Sequence, residues 1–291
     1  MVTERSILGR GLRIQRTAAE PASLLETSTQ RAVGARVPSH HAAVRGPGAL
    51  ARRGHTARMT VDLRPAASRF HTRIDWLDSW HSFSFGPHHD PTNTGHGLLL
   101  VNNDDVVRGG GGFATHGHRD MEIVTWVLDG ELAHRDSTGT DGVIYPGLAQ
   151  RMSAGAGIRH SEMNASATAD VHLVQMWVLP DTDGIAPGYE QRDLNDALSD
   201  GGLVAVASGQ GHAGAVTIHQ RDAVLFVGRL EAGMEVAVPD APHVHLFVAV
   251  GGAHLDGAPL ATGDAARLTD AGAPTLTAAA DGAEVLIWAT A

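Results

Sequence analysis

The sequence contains no cysteine and no lysine, and aromatic residues make up only 4% of its 291 positions. Without cysteine there is no disulfide scaffold, no thiolate metal site and no cysteine nucleophile. With no lysine, 22 arginines and 32 acidic residues, the formal net charge is −10, which argues against a dedicated nucleic-acid binder, because neutralising phosphates takes a basic surface. No run approaches the roughly 18 uninterrupted apolar residues of a helical membrane span, so a membrane location is not expected. No long amphipathic repeat is present either, which disfavours helical bundles and solenoids. Glycine and histidine, by contrast, are plentiful. Thirty-five glycines and 13 prolines imply many turns, and 18 histidines in a chain without thiols direct attention to imidazole metal chemistry. At roughly 150 residues per domain the length suggests about two domains.

Charge is unevenly spread. Residues 1–58 carry ten arginines and three glutamates, a surplus of seven positive charges, and no aromatic residue. The remainder carries 12 arginines against 29 acids. The first segment cannot bury much apolar surface and is read as a disordered extension. It fits an organellar transit peptide, a basic arm for an anionic partner, or an early-placed start with translation beginning at Met59. All-arginine, Ala/Gly-heavy usage suits a GC-rich bacterial genome and favours Met59. No apolar core of a secretory signal is visible, so the expected location is the cytoplasm.

From about residue 60 the pattern changes to short β-branched runs, Gly97–Val101, Ile123–Leu128, Val171–Leu179, Val224–Val227, Val244–Val250 and Val285–Trp288. Between them stand turn signals such as Asp129-Gly130, Asp141-Gly142, Asp256-Gly257 and Gly263-Asp264. Such spacing predicts an all-β sandwich or barrel. Helix signals are sparse, with Arg192–Leu198 the one short candidate. A composition shift over Gly184–Gln191 reads as an inter-domain linker.

The densest chemistry lies between Gly109 and Asn164. Four glycines, 109–112, lead into His116-Gly117-His118, and Glu122 follows. On a strand, residues i and i+2 project from one face, so the two imidazoles can grip one ion. His160 and Glu162 repeat the arrangement some forty residues later. Two such claws converging inside a small barrel give three imidazoles and one carboxylate, a donor set for Fe, Mn, Ni, Cu or Zn rather than Ca or Mg. An octahedral ion would keep two positions for substrate and O2, whereas a tetrahedral one would be closed and structural. Glu122, at His118+4, could ligate, support a ligand, or be a solvated strand residue. Arg119 and Asp120 could support the ligands or form a surface pair. Phe113, Trp126 and Met152 are candidate walls of an apolar pocket and equally candidate core.

The run Gly110 to Glu122 (Gly-x5-His-x-His-x3-Glu) with the later His160-x3-Asn164 resembles the two cupin motifs. The whole stretch is more closely similar to the pirin family of bicupins. Matching segments are Trp76 to Gly86, Asp90-Pro91, Asn103-Asp104-Asp105, Thr115 to Glu122, Pro146-Gly147, Arg151 to Gly155, His160-Ser161-Glu162 and Tyr189-Glu190-Gln191. The similarity spans residues 60–291 and is tightest over 76–191.

The resemblance implies two jelly-roll β-barrels, a metal-binding one over 59–190 and a metal-free one over 191–291. It implies one divalent transition metal, Fe(II) foremost with Ni, Mn, Cu or Zn compatible, held by His116, His118, His160 and Glu162. Glu122 then becomes a neighbour, and either Glu162 or Glu122 could take a substrate proton as a base. Bacterial relatives of this type imply quercetin 2,3-dioxygenase activity on a flavonol with O2, releasing carbon monoxide. Eukaryotic ones imply the alternative, a non-enzymatic iron-binding redox sensor or co-regulator acting through a protein partner.

There are departures from the family pattern. Gly117 stands where the family has proline between the histidines, which loosens the backbone between two ligands. His88-His89 replaces a Tyr-Tyr pair, and residues 1–58 have no family counterpart. The C-terminal half repeats the turn grammar, and His243 and His245 mimic the first claw. Ala249 stands at His245+4, however, and His254 is the last histidine, so no second pair follows. These histidines are expected to pack at the barrel mouth, with the second half structural.

Overall fold

The protein is described here by a computed structural model covering residues 59–291. The expectations for residues 1–58, including the start at Met59, lie outside the described residues. The first half runs β1 (Thr60–Arg64), β2 (Phe70–Ile74), β3 (Leu77–His81), β4 (Leu99–Val107), β5 (Gly112–His118), β6 (Glu122–Asp129), β7 (Leu132–Asp136), β8 (Asp141–Ile144), β9 (Leu148–Ser153), β10 (Ile158–Asn164), β11 (Val171–Val178) and β12 (Gly188–Asp193). A short α-helix, α1 (Asn195–Ser199), leads to β13 (Val204–Ser208), β14 (Val216–Thr217), β15 (Ala223–Leu230), β16 (Glu235–Ala237), β17 (His243–Leu255), β18 (Ala258–Ala261), β19 (Ala265–Thr269) and β20 (Thr275–Thr290). All six expected apolar runs lie largely within strands. The turn dipeptide Asp256-Gly257 has both residues at positive φ (46° and 85°), as a tight hairpin requires. Asp141-Gly142 instead opens β8, because the reversal after β7 is completed earlier, at 137–139.

The fold is all-β and bicupin. A seven-stranded sheet, β12-β9-β6-β11-β4-β3-β2, faces a four-stranded sheet, β5-β10-β7-β8, to make the first barrel. A nine-stranded sheet, β1-β19-β17-β20-β15-β13-β14 with β16 and β18 attached, forms the second. Two expected boundaries shift. β12 pairs with β9 along its whole length, Gly188 with Ser153 through Asp193 with Leu148, so a division at 190/191 would cut a strand. The linker read over Gly184–Gln191 therefore ends in sheet. At the other end, β1 pairs with β19, Thr60 with Thr269 through Arg64 with Ala265, and belongs to the second barrel.

Strand parity sorts the core. In β6, Ile123 and Val127 face the first barrel's interior, while Val124 and Trp126 face the second barrel. β11 divides the same way, with Leu173 and Trp177 inward and Val174, Met176 and Val178 outward. The outward set packs on Leu225, Val227, Phe247, Leu286 and Trp288 of the nine-stranded sheet. The two barrels thus share one wall of apolar residues. Polar contacts fasten its edges. Trp126 Nε1 donates to Glu284 Oε1 at 2.7 Å, Arg151 Nε to the Thr217 carbonyl at 2.7 Å, and Arg267 Nη2 to the Ser82 carbonyl at 2.8 Å. Trp126 is therefore part of the shared wall and does not border the histidine cluster. Among the described residues no helix is long and apolar enough to cross a membrane.

Candidate metal centre

Burial along β10 alternates from Ile158 to Asn164, with Ile158, His160, Glu162 and Asn164 buried and Arg159 and Met163 exposed. This one strand carries two of the expected ligands inward. β5 lies on one side of it and β7 on the other. His160 is directly opposite His116, and Ile158 opposite His118. On the other flank His160 is opposite Asp136 and Glu162 opposite His134. Directly opposed side chains share a face about 5 Å apart. A register shift between His160 and Glu162 gives β5 an extra residue, the kind of irregularity that re-aims side chains. Gly112 makes the close approach there feasible. Its φ is +149°, and a Cβ on it would lie 2.6 Å from the Glu162 carbonyl oxygen.

The ligand-capable atoms of His116, His118 and His160 lie within 4.8 Å of one another, and so do those of His134, His160 and Glu162. His160 belongs to both trios. The imidazole centroids are 4.3 Å apart for His116–His160, 4.8 Å for His116–His118 and 4.9 Å for His118–His160. His116 Nδ1 lies 2.7 Å from the Ala114 carbonyl, which fixes its ring and turns Nε2 away. Burial lowers the pKa of all three, with His118 well below the ordinary value and His160 at about 2, the neighbouring His116 and His134 adding to its shift. Neutral imidazoles are the form that binds metal.

The carboxylate is held by a relay across the barrel. Trp177 Nε1 donates to Gln175 Oε1 at 3.0 Å, and Gln175 Nε2 donates to Glu162 Oε2 at 2.8 Å. Glu162 Oε1 and both ring nitrogens of His160 are buried without a protein hydrogen-bond partner. Unpartnered buried atoms of this kind cost about 1–3 kcal/mol each. Their convergence beside two further imidazoles fits a cation, and the N3O donor set suits a first-row transition metal.

Glu122 stands apart from this cluster. β5 ends at His118, and Asp120 (φ 49°) turns the chain before β6 begins, so counting parity from His118 to Glu122 crosses a turn. Glu122 faces the shared wall, fully buried. Its Oε2 accepts from Ser153 Oγ at 2.8 Å and from the His219 main-chain N–H at 3.1 Å. Arg119 is exposed, and Asp120 accepts from the Gly184 N–H at 2.6 Å. Met152 does point inward, against Ile158 and Trp177, and Phe113 packs with the opposite end of the interior.

One member of the cluster escapes sequence reasoning, His134. Its Nε2 lies 3.2 Å from Asp136 Oδ2, both side chains are fully buried, and its ring lies 4.8 Å from that of Tyr189. Burial pushes Asp136 up, but hydrogen bonds from Thr138, His134 and Thr140 outweigh it and hold the carboxyl below its ordinary range. The available signal was the alternation Leu132-x-His134-x-Asp136, which repeats the one-face spacing of the two claws.

The histidines of the second half differ in direction. Val244, Leu246 and Val248 of β17 fill the second barrel with Ala266, Leu268, Val285 and Ile287. His243 and His245 alternate with them and project towards the first barrel, where the His245 ring lies 5.3 Å from Phe83 and the His243 ring 5.2 Å from His96. They line the inter-barrel wall rather than a barrel mouth.

The family model for pirin matches residues 63–178, and that for the quercetinase C-terminal cupin domain matches residues 205–288. A relative from Mycobacterium tuberculosis strain H37Rv is 58% identical over 231 residues, 79% of this chain and 94% of its own. The protein of Escherichia coli K12 named quercetin 2,3-dioxygenase is 40% identical over 229 residues, 78% of this chain and 97% of its own. Among solved structures, the bacterial pirin YhhW of Escherichia coli in complex with nickel(II) is 38% identical, with a TM-score of 0.73, covering 79% of this chain and 98% of that one. With two matching cupin domains and relatives this similar along almost their whole length, the chain belongs to the pirin family.

Proposed function

We propose that this chain is a cytoplasmic metal-dependent dioxygenase that opens a flavonol of the quercetin type with O2. The observation that carries the reading is the convergence of three neutral imidazoles with a carboxylate oxygen that has no protein partner, inside a barrel whose other polar groups orient that carboxylate. His116, His118, His160 and Glu162 are the proposed ligands of one divalent metal, Fe(II) foremost, with Ni, Mn, Cu and Zn compatible with the same donors. When bound, such an ion supplies Lewis acidity that lowers the pKa of an enolic hydroxyl and brings it together with O2. Glu162 has two unlike oxygens. Oε2 is held by Gln175, which leaves Oε1 to face the ion or to receive the substrate's hydroxyl proton. Phe85, Ile123, Met152 and Trp177 form an apolar layer at one end of the interior that excludes water from the reacting centre. The name of the Escherichia coli relative, quercetin 2,3-dioxygenase, supports the substrate class.

The test is aerobic loss of flavonol absorbance by metal-reconstituted protein, wild type against His160→Ala. Turnover in the wild type that disappears in the variant is expected. Equal rates in the two would remove the proposal.

A further inference from the structure

The seven-stranded sheet carries a row of polar side chains on its inner face, at the level of the metal cluster. In register they run Asn103 (β4), Gln175 (β11), Thr125 (β6) and Gln150 (β9), each directly opposite the next. Apolar residues sit above and below Gln175, Thr125 and Gln150 on the same strand face, whereas Asn103 stands between Val101 and the buried Asp105. Thr125 lies between Ile123 and Val127, and Gln150 between Leu148 and Met152, all of which pack in the first barrel's interior. Strand alternation therefore aims the Thr125 and Gln150 side chains into the barrel. Gln175 demonstrates the direction, because it reaches across to Glu162.

The members of the row differ in how they are used. Both ends of the Gln175 amide are committed, to Glu162 and to Trp177, and Asn103 Oδ1 is 2.8 Å from His81 Nδ1. Gln150 is 1% exposed and Thr125 0%, yet Gln150 Nε2, Gln150 Oε1 and Thr125 Oγ1 have no protein partner. Two polar side chains in a core position without partners cost stability and serve no packing purpose that Leu or Val would not serve better. With strands about 4.8 Å apart, Thr125 stands about 5 Å and Gln150 about 10 Å along the sheet from Gln175. The row thus leads away from the Glu162 carboxylate.

Resting on the flavonol reading above, we infer that Gln150 and Thr125 are specificity-determining residues that hydrogen-bond the hydroxyl or carbonyl substituents of a planar polyhydroxylated aromatic whose reacting end lies at the histidine cluster. A primary amide offers one acceptor and two donors, and a hydroxyl offers both roles, so the pair matches phenolic substituents and discriminates against an unsubstituted ring.

The experiment is an anaerobic titration of the nickel(II)-loaded full chain with quercetin and with 3-hydroxyflavone, which keeps the enolic hydroxyl and lacks the ring hydroxyls. Wild type, Gln150→Met and the near-isosteric Thr125→Val are compared, with metal content and metal-free melting temperature measured for each. The expected result has three parts. Wild type binds quercetin about tenfold or more tightly than 3-hydroxyflavone. Each variant loses most of that preference with its metal content unchanged. The metal-free melting temperature of each variant stays level or rises, because no protein hydrogen bond has been removed. An unchanged quercetin preference in both variants would overturn the inference and leave the flavonol reading standing, the two side chains then holding ordered water. A lower melting temperature with unchanged binding would overturn it as well, marking the pair as structural. Failure of wild type to bind either flavonol would remove the flavonol reading itself.

Discussion

Both barrels carry a His-x-His, on the edge strand β5 of the four-stranded sheet and on β17 within the nine-stranded sheet, and only the first barrel turns it inward. In β5 the histidines oppose Ile158 and His160 of β10 and complete a polar cluster. In β17 the inward positions belong to Val244, Leu246 and Val248, so His243 and His245 fall on the wall between the barrels. A shift of one residue in strand parity moves a whole set of side chains to the opposite face. The same His-x-His spacing thus enters a buried polar cluster in one half and interface packing in the other. The first barrel also places polar side chains (Gln175, Gln150, Thr125, Asn103) opposite its claw, whereas the second fills the equivalent space with aliphatic residues.

Substitutions in each barrel test this difference. The largest effect is expected from Gln175→Leu, which removes the donor that holds Glu162. Metal affinity should fall about 10–100-fold, measured by competition with a chelator, while the fold persists. An unchanged affinity would mean that the polar layer of the first barrel does not support the ligands. Glu122→Ala should separate the shared wall from the metal cluster. Loss of the acceptor for Ser153 and the His219 N–H should cost about 1–3 kcal/mol of stability in denaturant melts. Metal content should stay at the wild-type level, and loss of metal there would return Glu122 to the ligand shell. For the second barrel, His245→Leu should leave stability within about 1 kcal/mol of wild type, on the stabilising side, because both ring nitrogens of His245 are buried without partners. The smallest effect is expected at Gly117, whose Cβ would meet its nearest neighbour, the Ile158 carbonyl oxygen, at 3.6 Å. Gly117→Ala should raise stability by about 0.4–1 kcal/mol by restricting the unfolded chain, and it should not weaken metal binding.

Much of this was legible because strands write their faces into the sequence at period two. His116 with His118, and His160 with Glu162, needed only that rule, and the apolar runs marked the strands that support them. The rule fails where the chain turns. Glu122 shares a count with His118 across the Asp120 turn, which does not preserve parity, and that is why the count misdirects. It also leaves open which face is inside, so His243 and His245 read as a barrel-mouth pair until the sheet packing decides. His134 lay in plain alternation with Asp136, but its relevance depends on β7 pairing with β10, a long-range register no local pattern encodes. The boundaries at β1 and β12 were hidden for the same reason. Both strands are assigned by their partners, β19 and β9, and not by their own composition.

The contrast between the two histidine pairs implies one cation per chain, in the first barrel alone. The most direct measurement is the metal content of reconstituted, desalted full-length protein, for wild type, His160→Ala and the double variant His243→Ala/His245→Ala. One equivalent is expected for wild type, none for His160→Ala and one for the double variant. One equivalent retained by His160→Ala, or a loss of metal from the double variant, would contradict it.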